Sequence, residues 1–250
     1  MNPASTFSFD MSYCGPPPLP DELWQRWNFD PILLTVLTLL AVVGATWMRH
    51  AEGPRRWAFG GAWVLSAVLF VSPLCALTVA LFSARVGHHV FLAMVMAPML
   101  ALALPAPSFR RLPILPPLAV SSAILWFWHV PDFYVSAFTS PALYWSMQAS
   151  LIAGFAWFWR GLIWSEAPMA VGVAALSSAM QMGLLGALLV FAPQPLYAPH
   201  LVTTPAYGLS PLGDQQLGGL IMWVPANLPL MALVLWRLAG ALGPGREARG

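Results

Sequence analysis

Residues 169–191 read MAVGVAALSSAMQMGLLGALLVF, and no charged residue interrupts them. About 20 mostly apolar residues in a helix cross the hydrocarbon core of a bilayer. Working outward, six further segments have the same character: Pro31–Met48, Trp57 to about Leu77, His88 to about Leu104, Ile114–His129, Ala142–Trp164, and about Gln215 to Trp236. Prolines stand inside or beside several of them (Pro73, Pro98, Pro116, Pro117, Pro225, Pro229), which a membrane helix tolerates when neighbours satisfy the freed carbonyls. Composition agrees: of 250 residues, 59% are apolar and 8% charged, whereas soluble domains carry about 25% charged residues. Lipid must therefore be the solvent. The expected fold is an all-α polytopic bundle of seven transmembrane helices over 31–238. A proline-rich, extended arm (1–30) precedes it, and a short tail (239–250) follows.

Arginine placement orients the bundle. One side holds Arg49, Arg55, Arg56, Arg110, Arg111, Arg160, Arg237, Arg246 and Arg249; the other holds Arg26 and Arg85, with Asp10, Asp21, Asp30, Asp132 and Asp214. Basic residues concentrate in cytoplasmic loops. The N-terminus and the 193–214 loop are expected outside, on the periplasmic face of a bacterial inner membrane, and the C-terminus inside. No basic segment opens the chain, so the N-terminus reads as retained rather than as a signal peptide. Tryptophans and tyrosines near the span ends (Trp57, Trp126, Trp128, Tyr144, Trp145, Trp164, Trp223, Trp236) fit interfacial anchors.

Several functions are excluded. A net charge of +2 does not point to nucleic acid. The chain has no lysine, since all eleven basic residues are arginine, and this closes the Schiff-base route of a retinal protein. No GxSxG, Walker loop, HExxH or clustered cysteines occur, so no catalytic residue is assigned and the chain reads as a non-enzyme. Cys14 and Cys75 both fall outside, where disulfides persist. The expectation is nevertheless an unpaired arm thiol and a buried apolar Cys75, with Cα atoms beyond about 7 Å and so out of bridging range.

Polar groups inside a membrane are costly and mark function by default. With this topology His88, His89, His129, Gln148, Asp214, Gln215 and Gln216 all gather towards the outer face, while His50 lies inside. His89 and Met96 are seven apart, on one helical face, as are Gln215 and Met222. Imidazole with thioether suits cuprous copper. The candidate metal ligands are therefore His89, His129, His88, Met96 and Met222. His88 and His89 point about 100° apart, so His89 is preferred. Asp214 fits either a cap of its own helix or a partner that orients an imidazole, with Gln215, Gln216 and Gln148 in supporting roles. Gln181, near the middle of its span, reads as interhelical glue. His89, His129 and Asp214 are expected to converge within about 8 Å, over a floor of Met96 or Met222.

The segment Leu209–Ser210–Pro211–Leu212–Gly213–Asp214–Gln215–Gln216–Leu217–Gly218–Gly219–Leu220–Ile221–Met222–Trp223–Val224–Pro225 closely resembles the C-terminal signature of the polytopic CtaG-like cytochrome c oxidase assembly factors. Leu125–Trp126–Phe127–Trp128–His129–Val130–Pro131 is similar to that family's tryptophan–histidine–proline motif. Phe155–Leu162 is similar to its aromatic stretch, and His89 followed by Ala97–Pro98 matches its third-span pattern. The resemblance covers roughly residues 57–238. It departs at Arg85, which stands where the family carries the first of two histidines four residues apart. The resemblance implies assembly of a haem–copper oxidase, with oxidase subunits and periplasmic copper carriers as partners and copper as a transient cargo in a chaperone role. Two other classes stay open at this point: a haem-binding redox protein with His89 and His129 as axial ligands, and a small-solute or metal transporter. The transporter would need a polar path inward, and the inner halves of the spans hold almost no ionisable groups.

Overall fold

The structure, a computed structural model, describes residues 9, 12–107 and 113–242. Arg110, Arg111, Arg246, Arg249 and Asp10 lie outside the described residues, as does most of the expected tail.

The described residues are helical, without strands. α1 (Pro31–Trp47) starts where Asp30 accepts the N–H groups of Ile32 and Leu33, with Pro31 at the first helical position. A proline costs nothing there because its missing N–H had no intrahelical partner anyway. α2 (Gly53–Val71) and α3 (Leu74–Ala80) form one rod bent by 51° at Ser72–Pro73. α4 (Phe82–Phe91), a π turn (Leu92–Met96) and α5 (Ala97–Ala103) make a continuous rod. Next come α6 (Leu115–His129), α7 (Pro131–Thr139), α8 (Pro141–Trp164) and α9 (Pro168–Phe191). The last rod is α10 (Pro211–Trp223), a 3-10 turn at Pro225–Asn227, and α11 (Leu228–Leu242).

Among the described residues four stretches are long and apolar enough to cross a membrane singly: Pro31–His50, Phe82–Ala103, Pro168–Phe191 and Pro211–Gly240; the bent α2–α3 pair makes a fifth if it counts as one span. At 15 residues, α6 is about 22 Å long, short of a full crossing. The chain is thus an all-helical membrane protein.

The bounds depart from expectation in three places. α4 begins at Phe82, not at His88, because Ser83 and Arg85 read as loop residues in sequence yet are buried in the fold. α10 begins at Pro211, not near Gln215, with Ser210 accepting the Gly213 N–H as its cap. The 131–139 segment, expected to be a connection, is helix α7.

Partners in the core explain the order of packing. α10 lies between α4 and α9, and α8 is flanked by α5, α6 and α7. The α9–α10 approach is set by glycines: a Cβ on Gly186 would sit 2.7 Å from the Gly219 carbonyl oxygen, and one on Gly219 would sit 2.7 Å from that of Gly186. Gln181 does join helices, accepting the indole N–H of Trp126 at 2.8 Å. At one end of the bundle, arginines donate to carbonyls left free at or just past helix C-termini: Arg55 to Ala103 (3.1 Å), Arg160 to Pro105 (2.7 Å), and Arg237 to Leu162 (2.8 Å) and Ile163. Positive charge is favourable there because the helix dipole ends negative.

The other end carries the arm, and here the cysteine expectation fails. Cys14 and Cys75 form a disulfide, with Cα atoms 5.5 Å apart. The described part of the arm is docked on the bundle. Tyr13 stacks on Tyr144 at 4.9 Å and meets Trp145 edge-on, Asn28 bonds to the Val71 and Phe70 backbone, and Tyr207 donates to the Pro18 carbonyl. The reason is aromatic burial: Phe9 and Tyr13 of the arm pack on Phe138 of α7 and on Tyr144 and Trp145 of α8.

Candidate functional site

The site lies at the arm end, where the C-termini of α3, α6 and α9 meet the N-termini of α4, α8 and α10. Six helix ends leave many unpaired backbone groups, and side chains from neighbouring helices take them up. α4 has only Leu81 at its N-cap position, with no side-chain cap of its own. Asp214 of α10 supplies it instead, accepting the N–H groups of Phe82 (2.6 Å) and Ser83 (3.2 Å) and the Ser83 hydroxyl. Its carboxylate is fully buried and sits on the positive end of another helix. Gln215 donates to the Leu189 carbonyl (3.1 Å) and accepts from the Leu196 N–H (2.7 Å), and Gln216 donates to Val190 (3.1 Å). Leu189 and Val190 belong to the last turn of α9. The Asp–Gln–Gln run therefore joins three helix ends.

The imidazoles divide into two environments. His129 closes α6; its Nδ1 lies 2.7 Å from the Leu125 carbonyl. Facing an acceptor, Nδ1 must carry the proton, and Nε2 keeps its lone pair. The His129 carbonyl accepts from Tyr197 at 2.9 Å. His89, on α4, is close enough to His129 for an electrostatic interaction, and its Nε2 is buried without a hydrogen-bond partner. His88 turns away to α2, with Nε2 3.2 Å from the Leu69 carbonyl and its ring edge-on to Phe70. It forms part of the wall of an apolar cavity of about 350 Å³, with Leu69, Thr78, Ser83 and Ile221 among its neighbours there.

The remaining candidates are placed differently from the expected arrangement. Asp214 has its hydrogen bonds on α4 rather than on an imidazole, so it acts as a cap, though of α4 and not of its own helix. Met96 accepts from the Ser66 hydroxyl of α2 at 3.0 Å. The π turn at Leu92–Met96 inserts an extra residue into the register, which rotates Met96 off the His89 face. Pro98 lies just beyond this turn, and the Trp159 indole donates to the Ala93 carbonyl within it at 2.9 Å. Met222 is buried in the α10 core, and Gln148 is buried with its Oε1 unpartnered. Among the described residues no group of three His, Cys, Asp or Glu side chains is placed to hold a metal. Of the three residues expected to converge, His89 and His129 interact electrostatically, while Asp214 spends its hydrogen bonds on the start of α4.

Two residues at this end were not anticipated as parts of a site. His200, in the loop before α10, is buried; its Nε2 accepts from the Tyr134 hydroxyl at 2.7 Å and its Nδ1 lies 3.3 Å from the Ala80 carbonyl. Burial, reinforced by nearby Arg85, pushes this imidazole down to about 3. Arg85 is 2% exposed. Its guanidinium lies 4.0 Å from the ring of Phe138, 5.2 Å from Tyr134 and 5.9 Å from Tyr144. Loop polarity hid both: a histidine between two loop prolines and an arginine ahead of the expected span carry no periodic signal.

Among comparisons with known proteins, the family model of the cytochrome c oxidase caa3 assembly factor (Caa3_CtaG) matches residues 36–242. No curated protein and no solved structure matches the chain. The matched region takes in every helix from within α1 to the end of α11, with the Asp–Gln–Gln run and both paired histidines inside it. The chain belongs to the cytochrome c oxidase caa3 assembly factor family.

Proposed function

We propose that this protein serves the assembly of a haem–copper cytochrome c oxidase by binding cuprous copper transiently at the periplasmic face and passing it to a nascent oxidase subunit. The observation that carries this reading is the His89–His129 pair. Each imidazole comes from a different helix; the His89 Nε2 is buried with no partner, and the His129 Nε2 keeps its lone pair because Nδ1 carries the proton towards the Leu125 carbonyl. A buried ring nitrogen without a partner is an uncompensated polar atom, and two imidazoles are a fit donor pair for copper. The Leu125 carbonyl on Nδ1 of His129 fixes the tautomer a ligand needs. His88 and Met96 face α2 and stay outside this pair; Met222, buried in the α10 core, is its reserve donor. Seven crossings, a periplasmic arm and a bacterial inner-membrane location belong to the same reading; they rest on the arginine asymmetry and on the alternation of helix ends.

Copper analysis of protein purified without chelators tests it. The expected result is saturable cuprous binding that His89→Ala and His129→Ala each weaken at least tenfold. Oxidase activity in the membranes should fall under copper limitation while the abundance of this protein is unchanged. Equal copper binding by the double variant would sink the reading. A Soret band in the purified protein would point to haem instead.

A further inference from the structure

The Arg85 guanidinium is a buried cation with no carboxylate in ion-pair contact; among the described residues the one ion pair is Arg26 with Glu22. Burying an unpaired charge is severely unfavourable, and arginine cannot escape by losing its proton. The rings of Phe138, Tyr134 and Tyr144 lie within cation–π range of the guanidinium. Ring faces attract the charge, but they do not replace acceptors for its N–H donors, which radiate in the guanidinium plane. Two of those donor atoms, Nε and Nη2, are buried with no hydrogen-bond partner. They form one edge of the guanidinium, the fork that takes the two oxygens of a carboxylate side by side. The unpartnered edge thus matches the geometry of a carboxylate.

We propose that the Arg85 fork is a binding site for a small carboxylate-class anion such as formate, acetate or bicarbonate. Enclosure selects the size. Phe138, Tyr134 and Tyr144 are themselves buried, so burial excludes a polypeptide side chain and leaves a small ion as the ligand class. The arm closes the site from above: Phe9 meets Phe138 edge-on at 6.2 Å, and Tyr13 stacks on Tyr144. The nearby imidazoles of His89 and His200 add no compensating negative charge. The proposal rests on the Arg85 fork alone, and its test needs no copper.

Thermal unfolding of the full chain in detergent, titrated with formate in a sulfate buffer, provides the test. The expected result is a saturable rise in the unfolding midpoint for the wild type, a smaller rise for Arg85→Lys, and none for Arg85→Gln. Lysine keeps the charge but loses the fork. Chloride at matched ionic strength should not reproduce the effect. An equal rise in Arg85→Gln, or an equal effect of chloride, would overturn the proposal. Should Arg85→Gln fail to fold, broadening of the 13C-formate resonance by the wild-type chain, relieved by excess acetate, gives the direct reading. Absence of that broadening overturns it as well.

Discussion

At the residue scale, the fold depends on single side chains that finish another helix's hydrogen bonding. Asp214 is the sharpest case, since it holds three donors at the start of α4. Asp214→Ala should cost about 2–3 kcal/mol, because hydrogen bonds to charged groups contribute about 1.5–3 kcal/mol and buried donors would be left unmade. Asp214→Asn keeps one acceptor oxygen and should lose less. Midpoints of unfolding in detergent check the order; an alanine variant as stable as the wild type would refute the cap. His200 predicts a pH dependence. Its folded value of about 3 lies below the unfolded value of about 6.5, so protonation favours the unfolded chain. The stability it contributes is present above pH about 6.5 and is lost as pH falls towards 3. His200→Gln should flatten the midpoint-against-pH curve over that interval.

Among elements, helix ends and helix contacts carry different signals. The glycine pair that lets α9 and α10 touch, Gly186 and Gly219, stands in the sequence, yet only the structure shows that each faces the other's carbonyl while Gly218 faces Phe82 of α4. Gly219→Ala would place a methyl 2.7 Å from the Gly186 carbonyl oxygen. Backbone cannot step aside as a flexible side chain can, so the helices must separate, at about 1–3 kcal/mol for overpacking. Gly240→Ala, with nothing within 4 Å of its Cβ, should be neutral in the same unfolding assay. The π turn at Leu92–Met96 shows where periodicity misleads: a seven-residue spacing predicts a shared face only if the helix stays α throughout.

For the whole molecule, the disulfide ties the arm to α3 across a sequence separation of 61. Cross-links over loops of this size contribute about 2–4 kcal/mol, mainly by restricting the unfolded chain. Reduction should lower the unfolding midpoint accordingly, and alkylation should then label two thiols; labelling without prior reduction would contradict the bond. The proposed orientation makes its own prediction. A reporter active only in the periplasm should be active when fused after Thr203 and silent after Arg111, and the reverse pattern would place the histidine pair on the cytoplasmic side.

The sequence by itself determined the solvent, the helical class and the position of most rods, because the burial of about 20 apolar residues in lipid depends on composition and length rather than on neighbours. It also determined the family, through the run around Asp214–Gln215–Gln216. What that run does was left to the tertiary structure, since a cap supplied by another helix needs the two ends brought together. The same holds for Cys14 and Cys75, whose pairing depends on the path of the arm, and for Arg85 and His200, which lie against rings from α4, α7 and α8. Local pattern records which face of an element is apolar. It does not record which polar atoms meet across elements, and at this site those meetings decide the chemistry.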